Sequence, residues 1–377
     1  MESSLYIHIP YCESKCIYCD FFSGGAKYAD WHLLSNQLLS ELSARCHELS
    51  SDISTIYLGG GTPSLIPEDV LYYFIKGMRS ILDESLRNNA EFTIEVNPED
   101  VSAGLIDMWC NIGVNRVSIG IQSFDDSLLS LIGRKHSGQR ALEALDAISR
   151  RFQNVSGDII FGLPNQSFSQ FKDDVEILIN SGVSHISCYS LMVEEGTALH
   201  QLIRQRKISP ADEGLSEKMY EYLIERLNEA GFEHYEISNF ARPGFRSQHN
   251  SGYWKGRQYL GIGPAAHSYD GLRTRRSNPW NLKGYLKHDF SGTASFYEEE
   301  YLTDIELREE MIMLSLRTKE GLDLENYERR FGAFNKERIL QSAKKDLDCG
   351  KLILIDNRLQ LSESGILTAD NTISNLF

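Results

Sequence analysis

Short runs rich in β-branched and apolar residues alternate with amphipathic stretches along the first half of this 377-residue chain. Leu5-Tyr6-Ile7-His8-Ile9 is the first predicted strand. Ile53 to Leu58, Phe92 to Val96, Arg116 to Ile121, Asp158 to Phe161 and His185 to Ser190 follow. Their starts lie about 25 to 50 residues apart, enough for a helix in each gap, which is the pattern of repeated βα units on a parallel sheet. Helices are predicted over Tyr28 to Leu49 and from Pro67, the favoured first-turn residue, onward. Ala141, Leu142, Leu145 and Ile148, then Phe171, Val175, Leu178 and Ile179, repeat at helical spacing. Six such units within residues 1–205 predict an α/β fold, a partial (β/α)6 TIM-like barrel. A flat doubly wound sheet is the competing arrangement.

Residues 206–300 break this rhythm. After a charged helix from Asp212 to Ala230, the chain turns aromatic and Gly-rich through Tyr235 to Phe240, His249 to Trp254 and Gly261 to His267. That composition predicts a connecting region that covers a site. Residues 301–377 are regular again. Helices are predicted near Glu306–Leu316, Leu324–Phe331 and Lys336–Leu347, then a hairpin of Leu352 to Ile355 and Arg358 to Leu361 turning at Asp356-Asn357. Three helices and a two-stranded wing predict a winged-helix-like α+β domain. Its 11 basic and 14 acidic residues, net −3, favour packing or partner docking over DNA binding.

Composition narrows the class. The formal charge of −15 argues against nucleic acid as the main partner. No apolar run reaches the roughly 18 residues of a membrane span. The start Met1-Glu2-Ser3-Ser4-Leu5 has no signal-peptide character, so a cytoplasmic location is expected. Seven cysteines are present. Cys46, Cys110, Cys188 and Cys349 are scattered and read as buried core filler. Cys12, Cys16 and Cys19 form a C-x₃-C-x₂-C cluster directly after the first strand, at the end of a βα barrel that carries chemistry. Structural zinc would want four closed ligands. A C-x-x-C redox pair would leave Cys12 unused and expects a helix where Phe21-Phe22-Ser23-Gly24-Gly25 stands. Both stay open, but a [4Fe-4S] cluster with three thiolates and one open iron is the favoured reading.

This motif in this position resembles the radical S-adenosylmethionine (SAM) superfamily, in which SAM chelates the open iron through its amino and carboxylate groups. Further matches follow in order over roughly residues 5 to 365. Tyr6 to Cys12 resembles the start of the motif in the oxygen-independent coproporphyrinogen III oxidase subfamily, and Gly59-Gly60-Gly61-Thr62-Pro63-Ser64 its GGGTP loop. Adjacent glycines would let backbone N–H groups approach the SAM carboxylate. Glu95 matches the acidic residue that holds the SAM ribose. Gln122, Arg134 and Asp158 fall at later strand ends. The resemblance thus implies Cys12, Cys16 and Cys19 as metal ligands and Tyr6, Tyr18, Gly60, Gly61, Thr62, Glu95, Gln122, Arg134 and Asp158 as cofactor-binding residues, for one SAM or two.

Two departures separate branches. The decarboxylating dehydrogenases have a further cysteine where this chain has Phe21, and a long N-terminal extension that is absent before Tyr6. The chain is more similar to the haem chaperone branch, which has a short start and an H-N-x-x-Y-W motif, here His249-Asn250-Ser251-Gly252-Tyr253-Trp254. That resemblance implies haem bound through His249, with His267 as second candidate, and transfer of haem to acceptor proteins docked on the acidic C-terminal block. A homodimer is an expectation without a residue pattern behind it. The competing readings are radical SAM decarboxylation of coproporphyrinogen III and an iron–sulfur interaction scaffold.

Overall fold

The structure, a computed structural model, describes residues 2–377. The predicted strands all form: β1 (Ser3–Ile9), β2 (Ile53–Gly60), β3 (Leu86–Val96), β4 (Arg116–Gln122), β5 (Asn154–Phe161) and β6 (His185–Ser190). Between them run α1 (Trp31–Arg45), α2 (Glu68–Leu82), α3 (Ala103–Asn111), α4 (Asp126–Leu131), α5 (Gly138–Ser149) and α6 (Phe168–Asn180). Pro67 stands one residue outside α2, as its N-cap, rather than within the first turn. Helix starts are capped by side chains: Asp30 accepts from Leu33 N, and Ser167 and Gln170 form a capping box.

Residues 206–300 are more regular than their composition predicts. They carry α8 (Glu213–Glu229), reached from β6 through α7 (Ala198–Arg204), then β7 (Glu233–Glu236), β8 (Asn239–Ala241), α9 (Gln248–Trp254), β9 (Gln258–Ile262), β10 (His267–Tyr269), β11 (Thr274–Ser277), α10 (Leu282–Tyr285) and the start of β12 (Glu298–Tyr301). These strands join the main sheet, whose order is β12-β11-β10-β9-β1-β2-β3-β4-β5-β6-β8-β7. From β9 to β6 all neighbours are parallel, so β9 adds a seventh parallel strand beside β1. The remaining pairs are antiparallel, and β7 and β12 are free edges, so the barrel is partial. The strand signal of β9 is weakened by Gly261. A Cβ there would meet the His267 carbonyl oxygen at 2.1 Å, so glycine is the residue that lets β10 pack back on β9.

Parallel strands covered on both faces are usually apolar throughout. Here they alternate. Leu5, Ile7, Ile56, Ile94, Ile119 and Ile186 pack under the helices in one continuous core. Tyr6, Thr55, Glu95, Ser118, Asp158 and Ser187 alternate with them and occupy the opposite, concave face. The concave face is therefore polar and has to be satisfied by hydrogen bonds. Residues 301–377 form α11 (Asp304–Leu316), β13 (Leu322–Asp323), α12 (Leu324–Phe331), α13 (Ala333–Asp348), β14 (Leu352–Ile355), β15 (Arg358–Leu361), α14 (Glu363–Ile366) and α15 (Ala369–Ser374). The sheet order is β13-β15-β14, and a second core gathers Ile312, Leu316, Tyr327, Ile339, Leu352 and Leu359. Asp356 and Asn357 both have positive φ, 47° and 62°, as a tight two-residue hairpin turn requires. Among the described residues no helix is long and apolar enough to cross a membrane.

Candidate SAM and iron–sulfur site

The cysteine loop leaves the C-terminal end of β1 and is anchored before any ligand binds. Tyr11-Cys12 pairs with Gly24-Gly25, Ile17 N donates to Ile132 O at 3.3 Å, and Leu199 N donates to Ile17 O at 2.8 Å. Cys12, Cys16 and Cys19 face one cavity of about 450 Å³, which is also lined by Tyr18, Gly60, Gly61, Thr62, Glu95, Gln122, Arg134 and Asp158. Eleven of the thirteen residues singled out from the sequence thus meet around a single space. Burial pushes the Cys19 thiol up to about 11, and the neighbouring Cys16 and Cys12 push the same way. The Arg134 guanidinium offers the compensating charge: its Nη1 donates to Cys16 Sγ at 3.6 Å, and its Nη2 is held by Asn97 Oδ1 at 2.9 Å and Gly120 O at 2.7 Å. Arg134 Nε is buried without a partner among the described residues.

The carboxylates of the concave face are each pre-bonded. Glu95 accepts from Tyr57 OH at 2.7 Å and from Gly60 N at 3.0 Å. Burial nevertheless raises it to about 7, against the pull of those two donors. Asp158 accepts from Ser118 and Ser156 hydroxyls, both at 2.7 Å, and burial raises it too. Gln122 follows a bulge between Gly120 and itself in the pairing of β4 with β5, and has a positive φ of 69°. The glycine loop is not the anion cradle expected of it. Its N–H groups are not free for an anion, because Gly60 N bonds Glu95, Gly61 N bonds Ile9 O at 2.7 Å and Thr62 N bonds Tyr11 O at 2.8 Å. The glycines are explained by close approach: a Cβ on Gly61 would sit 2.5 Å from Tyr11 O, and one on Gly60 2.5 Å from His8 Nδ1.

Two residues fall elsewhere. Tyr6 OH pairs with His8 Nδ1 at 3.1 Å and lines a second cavity. His249 lines neither cavity. It is 1% exposed, its Nδ1 pairs with Thr55 Oγ1 at 2.7 Å, and its Nε2 pairs with Tyr253 OH at 2.8 Å. With both ring nitrogens engaged, the expected haem ligation by His249 does not fit this geometry. Burial, with the charge of Arg116 adding, lowers its pKa to about 3. The neutral imidazole is the folded form, so its contribution is complete above the ordinary value of 6.5 and is lost as pH falls toward 3. Denaturant unfolding should show stability dropping by about 3 kcal/mol from pH 6.5 to pH 4 through this group alone, with a flatter profile in His249→Gln.

Sequence reasoning passed over Arg116, Asn97 and Tyr57. Arg116 is fully buried on the concave face with its Nε unpartnered, and Asn97 bridges Arg134 and Thr62. A signal existed: Arg116, Ser118, Gly120 and Gln122 are polar or small at every second position of an otherwise apolar strand. Of the four scattered cysteines only Cys188 is fully buried. Cys46 and Cys110 are half-buried and Cys349 is exposed, which corrects the core-filler reading.

A partial βα barrel with three cysteines on the loop after its first strand defines a radical SAM protein. Residues 6–178 match the family model of the Radical SAM superfamily, and residues 302–368 that of the HemN C-terminal domain. Over 98% of its length the chain is 33% identical to the heme chaperone HemW of Lactococcus lactis subsp. lactis, covering 96% of that protein. It is 34% identical to the heme chaperone HemW of Mycobacterium tuberculosis over 99% of its length and 94% of the relative. The coproporphyrinogen III oxidase HemN of Escherichia coli, a solved structure, shares the fold with a TM-score of 0.82 at 21% identity, over 99% of this chain and 89% of that one. The chain belongs to the HemW family within the radical SAM superfamily.

The superfamily implies a [4Fe-4S] cluster and SAM, and the donor set fits. Among the described residues no three potential ligands converge closely enough to hold a single metal ion. A four-iron cluster asks for something else, since each thiolate binds its own iron and the ligands surround a cluster-sized space.

Proposed function

We propose that the protein is a cytoplasmic haem chaperone, which carries a [4Fe-4S] cluster on Cys12, Cys16 and Cys19, binds SAM in the 450 Å³ cavity, and hands haem to acceptor proteins. The observation that carries this reading is the full-length likeness to proteins named as haem chaperones, joined to Phe21. Phe21 is 62% exposed beside the cluster loop, at the position where the decarboxylating branch has its extra cysteine. When bound, the cluster supplies an open iron for the SAM amino and carboxylate groups and an electron source. The chain's own residues position the ligand. Glu95 keeps lone pairs for ribose hydroxyls beyond those given to Tyr57 and Gly60. Arg134, locked by Asn97 and Gly120, fixes a positive charge beside the thiolates.

Because Glu95 titrates near 7, its hydrogen-bond-accepting carboxylate form grows from pH 6 to pH 8. SAM affinity of the cluster-loaded protein should rise over that interval. Glu95→Gln should bind roughly 10- to 100-fold more weakly, the worth of a charged hydrogen bond, and lose the pH dependence. Equilibrium dialysis under anaerobic conditions reads both. Wild-type affinity in Glu95→Gln would remove Glu95 from the site.

A further inference from the structure

A second cavity, of about 560 Å³, opens between the cysteine loop, β9–β10 and α11 of the C-terminal domain. Its size lies within the ~300–1,000 Å³ common to cofactor sites. Its walls are largely aromatic and aliphatic: Phe22 stands against Trp280 with ring centroids 6.0 Å apart, Tyr253 against Tyr259 at 4.7 Å, and Met313 and Leu314 face them. Trp280 is 65% exposed, an unusual amount for a tryptophan that only packs. Two arginines, Arg257 and Arg275, share this space with Asp20 and Glu310, and Arg257 is ion-paired with Glu2. Arg275 pairs with Glu310, yet its Nε is buried with no partner among the described residues.

Two histidines line the cavity, and they differ in one respect. His8 has both ring nitrogens engaged, Nδ1 with Tyr6 OH at 3.1 Å and Nε2 with the Phe22 carbonyl at 3.0 Å. His267 has no hydrogen-bond partner on either nitrogen among the described residues, and its side of the strand is exposed. Its backbone is firmly set: His267 pairs with Ser277, Gly261 admits its carbonyl, and Gly263 with φ 102° packs on the His8 carbonyl, where a Cβ would come to 2.5 Å. Partial burial and the charge of Arg275 both lower the His267 pKa from its ordinary value, which favours the neutral ring that ligates metal. Tyr253, by contrast, stands between this cavity and His249.

We propose that haem docks in this cleft, with His267 as its axial ligand and Arg257 and Arg275 receiving the propionates. The assignment rests on the haem chaperone reading and gives it a place. An aromatic slot suits the flat apolar faces of a metalloporphyrin, an unpartnered imidazole suits its iron, and two arginines that already hold carboxylates, Glu2 and Glu310, would exchange them for the two propionates. Asp20 and Phe21 line both this cavity and the SAM cavity, so the two sites share the segment just after Cys19.

The test uses the full cluster-loaded chain titrated with haem and read by absorbance and resonance Raman, as wild type, His267→Ala and His249→Gln. Wild type should give a histidine-ligated Soret band. His267→Ala should shift that band and weaken binding at least tenfold, and added imidazole should restore the wild-type spectrum. His249→Gln should keep it. Haem dimethyl ester, lacking the carboxylates, should bind wild type several-fold more weakly than haem does. Wild-type binding together with an unchanged spectrum and affinity in His267→Ala overturns this site and leaves the chaperone reading standing. A wild type that binds no haem overturns the chaperone reading and this site with it.

Discussion

Replacing any one of Cys12, Cys16 or Cys19 by alanine should empty the cluster site. After anaerobic reconstitution, wild type is expected to hold about four iron and four sulfide per chain, and each variant close to none. The reason lies in number: three thiolates are already one short of the usual four, and two cannot retain the cluster. The variants should stay folded, because the loop is tied by backbone bonds from Gly24, Ile17 and Leu199 and not by the thiols. Far-UV circular dichroism and unchanged melting of the cluster-free forms check that. Cys46→Ala, Cys110→Ala and Cys349→Ala, whose sulfurs lie outside the cavity, should reconstitute fully. Full iron in any variant of the triad would refute the assignment.

The second large effect is on stability. Glu41 on α1 is completely buried, and its carboxylate accepts from Arg45 Nη1, Asn278 Nδ2 and Gly263 N, each at 2.8 Å, and from Tyr285 OH at 2.7 Å. It ties α1 to the loop between β9 and β10, to the residue that follows β11 and to α10. Glu41→Ala would orphan Gly263 N and Tyr285 OH, leave Asn278 Nδ2 with only the Gly263 carbonyl, and strip the buried Arg45 of one of its two carboxylate partners, Glu48 remaining. Breaking a buried pair costs about 3–5 kcal/mol. The melting temperature of the variant should fall by roughly 5 °C. Glu41→Gln, which keeps an accepting oxygen, should lose less. Because Glu41 braces Gly263, four residues before His267, haem affinity should fall along with stability. A melting temperature within a degree or two of wild type would show that the brace carries little.

The parallel strands and the cavity residues were legible in the sequence for a physical reason. Strands of this sheet bury one apolar face under helices, so Ile53 to Leu58 or Arg116 to Ile121 announce themselves by composition. Chemistry placed at their C-terminal ends then falls into one space by topology alone. Three helices and the hairpin of the C-terminal domain were equally readable, down to the Asp356-Asn357 turn, because amphipathic period and turn residues are local signals, whereas the short β13 that makes the wing three-stranded and the helices α14 and α15 were missed. What local signals do not carry is long-range packing. β9 was hidden because Gly261 answers to a carbonyl six residues away, and the glycines of the 59–61 loop answer to the backbone of Tyr11 and the ring of His8. His249 looked like a ligand because nothing in a sequence shows that Thr55, nearly two hundred residues earlier, takes one of its nitrogens. A motif names residues that act together; only the fold shows which atoms of them remain free.

The central claim, a chaperone and not a decarboxylase, is tested most directly by following one preparation in two assays. Cluster-loaded protein carrying haem is mixed with an apo-haem protein, and a parallel sample receives coproporphyrinogen III, SAM and a reductant. The account predicts that the Soret signal moves to the acceptor and that no protoporphyrinogen forms. Sustained protoporphyrinogen formation without haem transfer would contradict it.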